Sequence, residues 1–293
     1  MFYLETPPRL IETKMFSSMP KAFRRKGVRT EWPDTNRPGQ GTDCFVEGPS
    51  FDTDGNLYLV DVLDVPFGRI FKITPGGQWS LVAEYESWPN GLKICPDGIM
   101  ELDAQAARMQ PVLTSRNSES FHSCSELHIA GNGDIHFTDQ GQIGLHDPTG
   151  CVYRLTRDGR FDRLIDTGIS PNGQVLDSSE AVLLVVITRD NAAWHLPFMK
   201  EGSVSKVRRF CSMFGPSGHG GMTMDRSGCL LVAHAPLGHV FVFVPNGEWV
   251  ARIKSCAGAT CTNAAIGGNN RDRLYITASA TGTVLVADIS ELS

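Results

Sequence analysis

One short unit, repeated along the chain, limits the folds open to it. An apolar stretch leads into a polar turn around Asp and Gly, and then into a β-rich strand ending in a small or acidic residue. The unit reads Phe51-Asp52-Thr53-Asp54-Gly55-Asn56-Leu57-Tyr58-Leu59-Val60-Asp61, and returns at Ile129–Asp139 and at Met224–Ala233. Weaker copies stand at Ile94–Ile99, Leu176–Val185 and Gly267–Thr277. Asp-Gly and Asn-Gly supply the positive φ of a tight hairpin turn, and the strand after each is β-branched or aromatic. Second hairpin signals follow at Gly68–Gly77, Gly150–Leu155 and Gly238–Phe243. Copies spaced by roughly 35 to 50 residues fit blades of four short strands. The spacing therefore predicts an all-β, six-bladed β-propeller over residues 41–293. Between Asp97-Gly98 and Asp103 there is no room for strand, turn and strand, so the second blade is expected to be irregular and shortened. Residues 1–40 carry few strand signals and read as an N-terminal arm packed outside the blades or over one mouth.

Bulk properties narrow the partners. The 293 residues are 41% hydrophobic, enough for a sizeable core. A net charge of −5 and no broad basic stripe speak against nucleic acid. No apolar run of about 18 residues is present, so no membrane span is expected. The opening Met1-Phe2-Tyr3-Leu4-Glu5-Thr6-Pro7-Pro8 lacks the basic-then-apolar order of a signal peptide. Eight scattered cysteines with no CxxC pair read as free thiols of a cytoplasmic protein. Oligomeric state is left open.

With the repeat in place, a family likeness emerges. Phe45-Val46-Glu47-Gly48-Pro49-Ser50-Phe51 followed by DGNLYLVDV, then Ile135-His136-Phe137-Thr138-Asp139, then Ser170-Pro171-Asn172-Gly173, resemble the senescence marker protein / gluconolactonase / luciferin-regenerating enzyme family. The resemblance implies a six-bladed propeller with a divalent cation, usually calcium, held by four side chains in the central channel. It also implies action on lactones. Two of the ligand positions it implies are kept, as Glu47 and Asn172. The family's N-D-L motif falls on Ser125-Glu126-Leu127 and its P-D-G motif on His219-Gly220-Gly221, so a ligand Asn is Ser125 and a ligand Asp is Gly220. So depleted a set predicts no bound metal; Ca2+, or Zn2+ on Glu47 with His219 and His122, is the alternative.

A propeller channel is a pre-formed pocket for a small molecule. Glu47, Glu126 and His219 are the expected catalytic groups. Carboxyls facing such a channel without a cation are raised in pKa by burial or mutual repulsion and suit acid–base work. Trp88, Asn90, His122, Ser125 and Asn172 are expected to touch substrate. Asp139 is expected to tie blade backbone together. No G-x-S-x-G elbow accompanies any serine, and Cys124 beside His122 offers no nucleophile pairing. The reading is a gluconolactonase-like enzyme acting on a lactone- or carbonyl-bearing metabolite by metal-independent acid–base chemistry, a cyclisation or isomerisation. A metal-dependent lactone hydrolase and a non-catalytic binding protein are the alternatives.

Overall fold

The computed structural model describes residues 7–26, 43–62, 67–86, 100–103, 108–111, 113, 115–116, 119–121, 123–141 and 143–292. Of residues 67, 85–86, 100–103, 108–111, 115–116 and 119–120 only the backbone is described. Each repeat turn is built as its sequence requires. Asp52 Oδ1 accepts the N–H groups of Asp54 (3.0 Å) and Asn56 (2.8 Å), and Asp225 Oδ1 accepts those of Ser227 (2.9 Å) and Cys229 (2.8 Å). The turn then passes through a left-handed residue, Gly55 at φ 79° and Gly228 at φ 83°. These turns join the first and second strands of antiparallel sheets, which are numbered here as blades I to V in chain order.

Blade I is Val46–Phe51, Leu57–Asp61, Phe67–Ile73 and Trp79–Glu86. Blade II is Cys124–Ile129, Ile135–Asp139, Gly150–Leu155 and Phe161–Gly168. Blade III is Pro171–Leu176, Val182–Ile187, Ala192–Pro197 and Arg208–Ser212. Blade IV is His219–Met224, Leu230–His234, His239–Phe243 and Trp249–Lys254. Blade V has Cys261–Gly267, Arg273–Ala278 and Thr283–Asp288. The first strands of II, III, IV, V and I lie side by side in that order, so the sheets stand round one axis as in a β-propeller.

Among the described residues the sheets of four or more strands are five, not six. The stretch expected to form a second blade contributes two-stranded ribbons instead, Met100–Asp103 with Arg108–Pro111 and Ser115–Arg116 with Glu119–Ser120. The weak repeat at Ile94–Ile99 lies outside the described residues. The first forty residues also do more than cover a surface. Lys14–Ser18 pairs antiparallel with Thr283–Asp288 and is the outer strand of blade V, and Arg9–Glu12 runs parallel to Trp249–Lys254 as a fifth strand on blade IV. Chain closure thus joins the N-terminal segment to the last blade.

Apolar residues fill the spaces between blades. Leu231, Val242 and Ile253 of blade IV and Leu274, Ile276 and Leu285 of blade V are each fully buried in one cluster. Phe71 of blade I packs against Phe23 and Trp79. The blade ends are tied by acids. Asp61 accepts the Phe45 N–H (2.7 Å) and pairs with Arg69, which also donates to the Phe23 carbonyl (2.6 Å). Asp139 accepts the Ser123 N–H (2.7 Å), the backbone-tying role expected for it.

The Asp61 and Arg69 side chains are 0% and 3% exposed. Removing one partner of such a pair strands a buried charge, which costs about 3–5 kcal/mol. Arg69→Met is therefore expected to lower the urea midpoint by that amount of unfolding free energy, while Asp61→Asn/Arg69→Met together recover much of it. Equilibrium denaturation of the three proteins reads both.

Candidate functional site

All five first strands slip by one residue against their neighbours near their heads. The shift falls between Glu47 and Ser50, Cys124 and Leu127, Pro171 and Gln174, His219 and Met222, and Cys261 and Asn263. A bulge of this kind turns side chains out of the ladder and re-aims them, here at the head of each strand. Counting from the turns picks out one position per blade within or beside the slip. Eight residues before the left-handed turn residues Gly55, Gly133, Glu180, Gly228 and Arg271 stand Glu47, Ser125, Asn172, Gly220 and Asn263. Asn263 is thus the blade V equivalent of Glu47, although the sequence reading gave it no role.

Where glycine holds these positions, the strands touch. A Cβ on Gly220 would lie 2.1 Å from the Thr262 carbonyl oxygen, and one on Gly173 would lie 2.5 Å from that of Gly220. No side chain fits at Gly220, the position of the family's ligand Asp. A Cβ on Gly221 would meet Asn263 Oδ1 at 1.8 Å, so Gly221 leaves the space that the Asn263 amide fills.

That amide joins two buried acids. Asn263 Nδ2 donates to Glu126 Oε1 across 137 residues of sequence, and Asn263 Oδ1 accepts the Ala264 N–H (2.8 Å). The Asn263 side chain and the Thr262 hydroxyl also reach Glu47. Glu47 and Glu126 are 9% and 7% exposed. Burial pushes the Glu47 carboxyl up to about 8, with the neighbouring Glu126 charge adding to the rise; contacts with Thr262, the Gly48 N–H and Asn263 pull the other way. Behind Glu47, Thr262 Oγ1 meets Thr277 Oγ1 (3.1 Å) and, very closely, Ser279 Oγ, which donates to the Val46 carbonyl (2.6 Å).

The other expected residues sort around this pair. Ser125 is buried beside Glu126, whose N–H donates to Thr138 Oγ1 (3.1 Å) and whose carbonyl accepts Gln174 Nε2 (3.1 Å). Asn172 gives its side-chain Nδ2 to Gln140 Oε1 (3.2 Å), and its carbonyl accepts the Thr138 hydroxyl (2.9 Å). His219 is placed elsewhere than expected. Its ring packs edge-on against His234 with centroids 4.1 Å apart, is 1% exposed, and neither nitrogen has a hydrogen-bond partner. His219 stands one residue before Gly220, the position equivalent to Glu47. Trp88, Asn90 and His122 lie outside the described residues. Thr262, Asn263 and Ser279 were missed; the count of eight from the turn points to Asn263, whereas nothing local marks Ser279.

These donors do not make the cage of six to eight oxygens that calcium takes. Gly220 has no side chain to offer, and an amide N–H, not an oxygen, points at Glu126. Among the described residues no group of three or more His, Cys, Asp or Glu side chains converges as a transition-metal site would need.

Blades round an axis, with acids at the heads of the inner strands, define a propeller with a polar axial site. Residues 45–280 match the SMP-30/Gluconolactonase/LRE-like region. The chain belongs to that family. It is 29% identical over 278 residues to the gluconolactonase of Zymomonas mobilis, covering 80% of this chain and 76% of that protein. It is 24% identical over 230 residues to the lactonase drp35 of Staphylococcus epidermidis, covering 71% and 69%. Among solved structures, a luciferin-regenerating enzyme superposes with a TM-score of 0.73 at 16% identity, covering 83% of this chain and 91% of that one. A gluconolactonase from Xanthomonas campestris does so with 0.70 at 19%, covering 92% and 98%.

Two buried histidines give the fold an acid limit. Burial holds His219 down to about 3, with His234 adding to the effect, and holds His136 down to about 4, with Arg154 adding. The unfolded chain takes up these protons near pH 6.5, where the folded chain still refuses them. Stability present above pH 6.5 is therefore lost as pH falls toward 4 and 3. Glu47 works in the opposite sense, since its raised value favours the folded state at low pH and loses that advantage as pH rises from 4.5 to about 8. Urea midpoints measured from pH 7 to pH 4.5 are expected to fall, and the fall should shrink in His219→Phe.

Proposed function

We propose that this chain is a lactonase-like enzyme that works on a small lactone- or carbonyl-bearing molecule with the carboxyls of Glu47 and Glu126, without a metal ion. The observation that carries the reading is that two buried acids from different blades sit in electrostatic contact and are joined through Asn263. Two carboxyls so placed do not both ionise readily, so the pair keeps one proton at neutral pH. A protonated carboxyl can polarise a carbonyl oxygen or give its proton to a departing alkoxide, and a carboxylate can take a proton from water or from carbon.

In lactone opening, the carboxylate takes a proton from water as the water oxygen bonds to the carbonyl carbon. The carboxylic acid gives its proton to the ring oxygen as the C–O bond breaks. The product is the hydroxy acid, and the two carboxyls have exchanged protonation. Run without water, the same proton transfers serve a ring closure or an isomerisation of a carbonyl compound. The gluconolactonase and lactonase relatives support the hydrolytic direction. The free thiols of all seven described cysteines support a reducing, cytoplasmic setting. No helix among the described residues is long and apolar enough to cross a membrane.

The test is the initial rate on a panel of sugar, alkyl and aryl lactones, with and without chelator. Turnover should survive the chelator, and Glu47→Gln or Glu126→Gln should each lower kcat by about 10²–10⁴-fold, the range of general acid–base catalysis. Activity that vanishes with chelator and returns with calcium would replace this reading with cation-dependent hydrolysis. Binding of panel members without turnover would make the chain a binding protein.

A further inference from the structure

We infer that the channel holds a second ligand site, toward its other end, which takes a small organic carboxylate with an apolar chain. The site is independent of the chemistry proposed for Glu47 and Glu126.

Asn263 of blade V reaches Glu126 of blade II although blades III and IV stand between them, so this hydrogen bond crosses the channel. The first strands continue from there to their hairpin turns. Beginning two residues further along, about 7 Å by the rise of a strand, all five blades line one cavity of about 400 Å³. That is the size of a small-molecule pocket. Its walls are apolar at Phe51, Ile129, Val175, Met222, Met224 and Ile266. Neither Glu47 nor Glu126 borders it.

Charge comes to this cavity from the turns. Arg271 lies on its wall at φ 54°, the left-handed place that Gly55, Gly133 and Gly228 hold in blades I, II and IV. A non-glycine residue there carries a backbone strain that glycine avoids, and such strain gathers at ligand sites. In blade III the side chain at this place has a structural use, since Glu180 Oε1 accepts the Gly131 N–H of blade II (2.7 Å). Arg271 has none: among the described residues its exposed guanidinium has neither an ion pair nor a hydrogen bond.

The other titratable side chains on the wall are His128 and Asp225. Asp225 is turned in on its own loop. Its Oδ1 accepts the Ser227 N–H, the Ser227 hydroxyl (2.6 Å) and the Cys229 N–H, and its Oδ2 is sealed from solvent. One guanidinium over an apolar cavity suits a singly charged anion, and its planar fork matches a carboxylate. Arg271 and Phe51 also border a second cavity, of about 570 Å³, at the turns of blades I and V. Asp52 and Asp54 line that one, which disfavours an anion there.

Carbon-13 methyl spectra of the methionine-labelled full chain read the site directly, because Met222 and Met224 line it. Octanoate is the probe, with octanol and octylammonium as controls of equal length. Octanoate should move the Met222 and Met224 signals, which Met222→Leu and Met224→Leu identify. The two controls should bind about 10-fold more weakly or worse. Arg271→Gly suits the turn and keeps the fold, and should raise the Kd for octanoate by about 10- to 100-fold, as loss of hydrogen bonds to a charged group does. Met224→Glu should abolish binding, whereas Glu47→Gln and Glu126→Gln should bind octanoate as the parent does. Met222 and Met224 signals unmoved by millimolar octanoate would overturn the proposal, as would an unchanged Kd in Arg271→Gly or equal binding of octanol. Loss of the shifts in Glu47→Gln or Glu126→Gln would place the anion at the acids and overturn it too. Lactone turnover is measured apart from this binding, so either result leaves the test of the proposed function standing.

Discussion

Five twisted sheets can share an axis only if their first strands draw together at one end, and there the backbones come within contact distance of one another. Gly173 against Gly220, and Gly220 against the Thr262 carbonyl, leave no room for a Cβ. Each first strand answers this crowding with a one-residue slip that frees its head from the ladder. What the slip releases is a small set of side chains, one equivalent position per blade, turned away from the sheet. Glu47 and Asn263 stand at such positions, and Glu126 stands one residue past the blade II position.

Elsewhere the chain treats buried charge conservatively. Asp61 has Arg69, and Arg154 has Asp162, as burial of an ion requires. At the axis two buried acids confront each other, with the Asn263 amide and the Thr262 hydroxyl beside them. Such an arrangement costs stability, because each carboxyl would be easier to accommodate alone. Perturbed buried acids cluster at reactive sites. The family's architecture is kept here while the groups at two of its axial positions differ, Ser125 and Gly220 standing where the resemblance implies Asn and Asp. Glu126, one residue along the same bulge, brings a second carboxyl to the axis from a different blade.

The repeat was legible because its causes are local. In blades I, III and IV an Asp caps its own turn three positions before a left-handed residue, which needs only a few neighbouring residues, so those hairpins are announced locally. Even the axial positions can be counted from those turns. Asn263 escaped because the last turn, Gly267-Gly268-Asn269-Asn270-Arg271, has several glycine and asparagine candidates for the left-handed residue, and Arg271 takes that place at φ 54°. His219 was misjudged for a related reason. It stands one residue before Gly220, the position equivalent to Glu47, and a single position along a strand moves a side chain to the other face.

The alternation of apolar and polar residues and the turn chemistry settled that this chain makes short antiparallel hairpins, and the order of its motifs settled its family. Those are matters of bonds between residues close in sequence. Which strand closes the ring, how many full sheets stand around the axis, and which side chains meet Glu126 depend on partners far apart in the chain. Lys14–Ser18 meets Thr283–Asp288, Asn263 meets Glu126, and Ser279 meets Val46. No local propensity encodes such meetings. They arise when the sheets pack and exclude water.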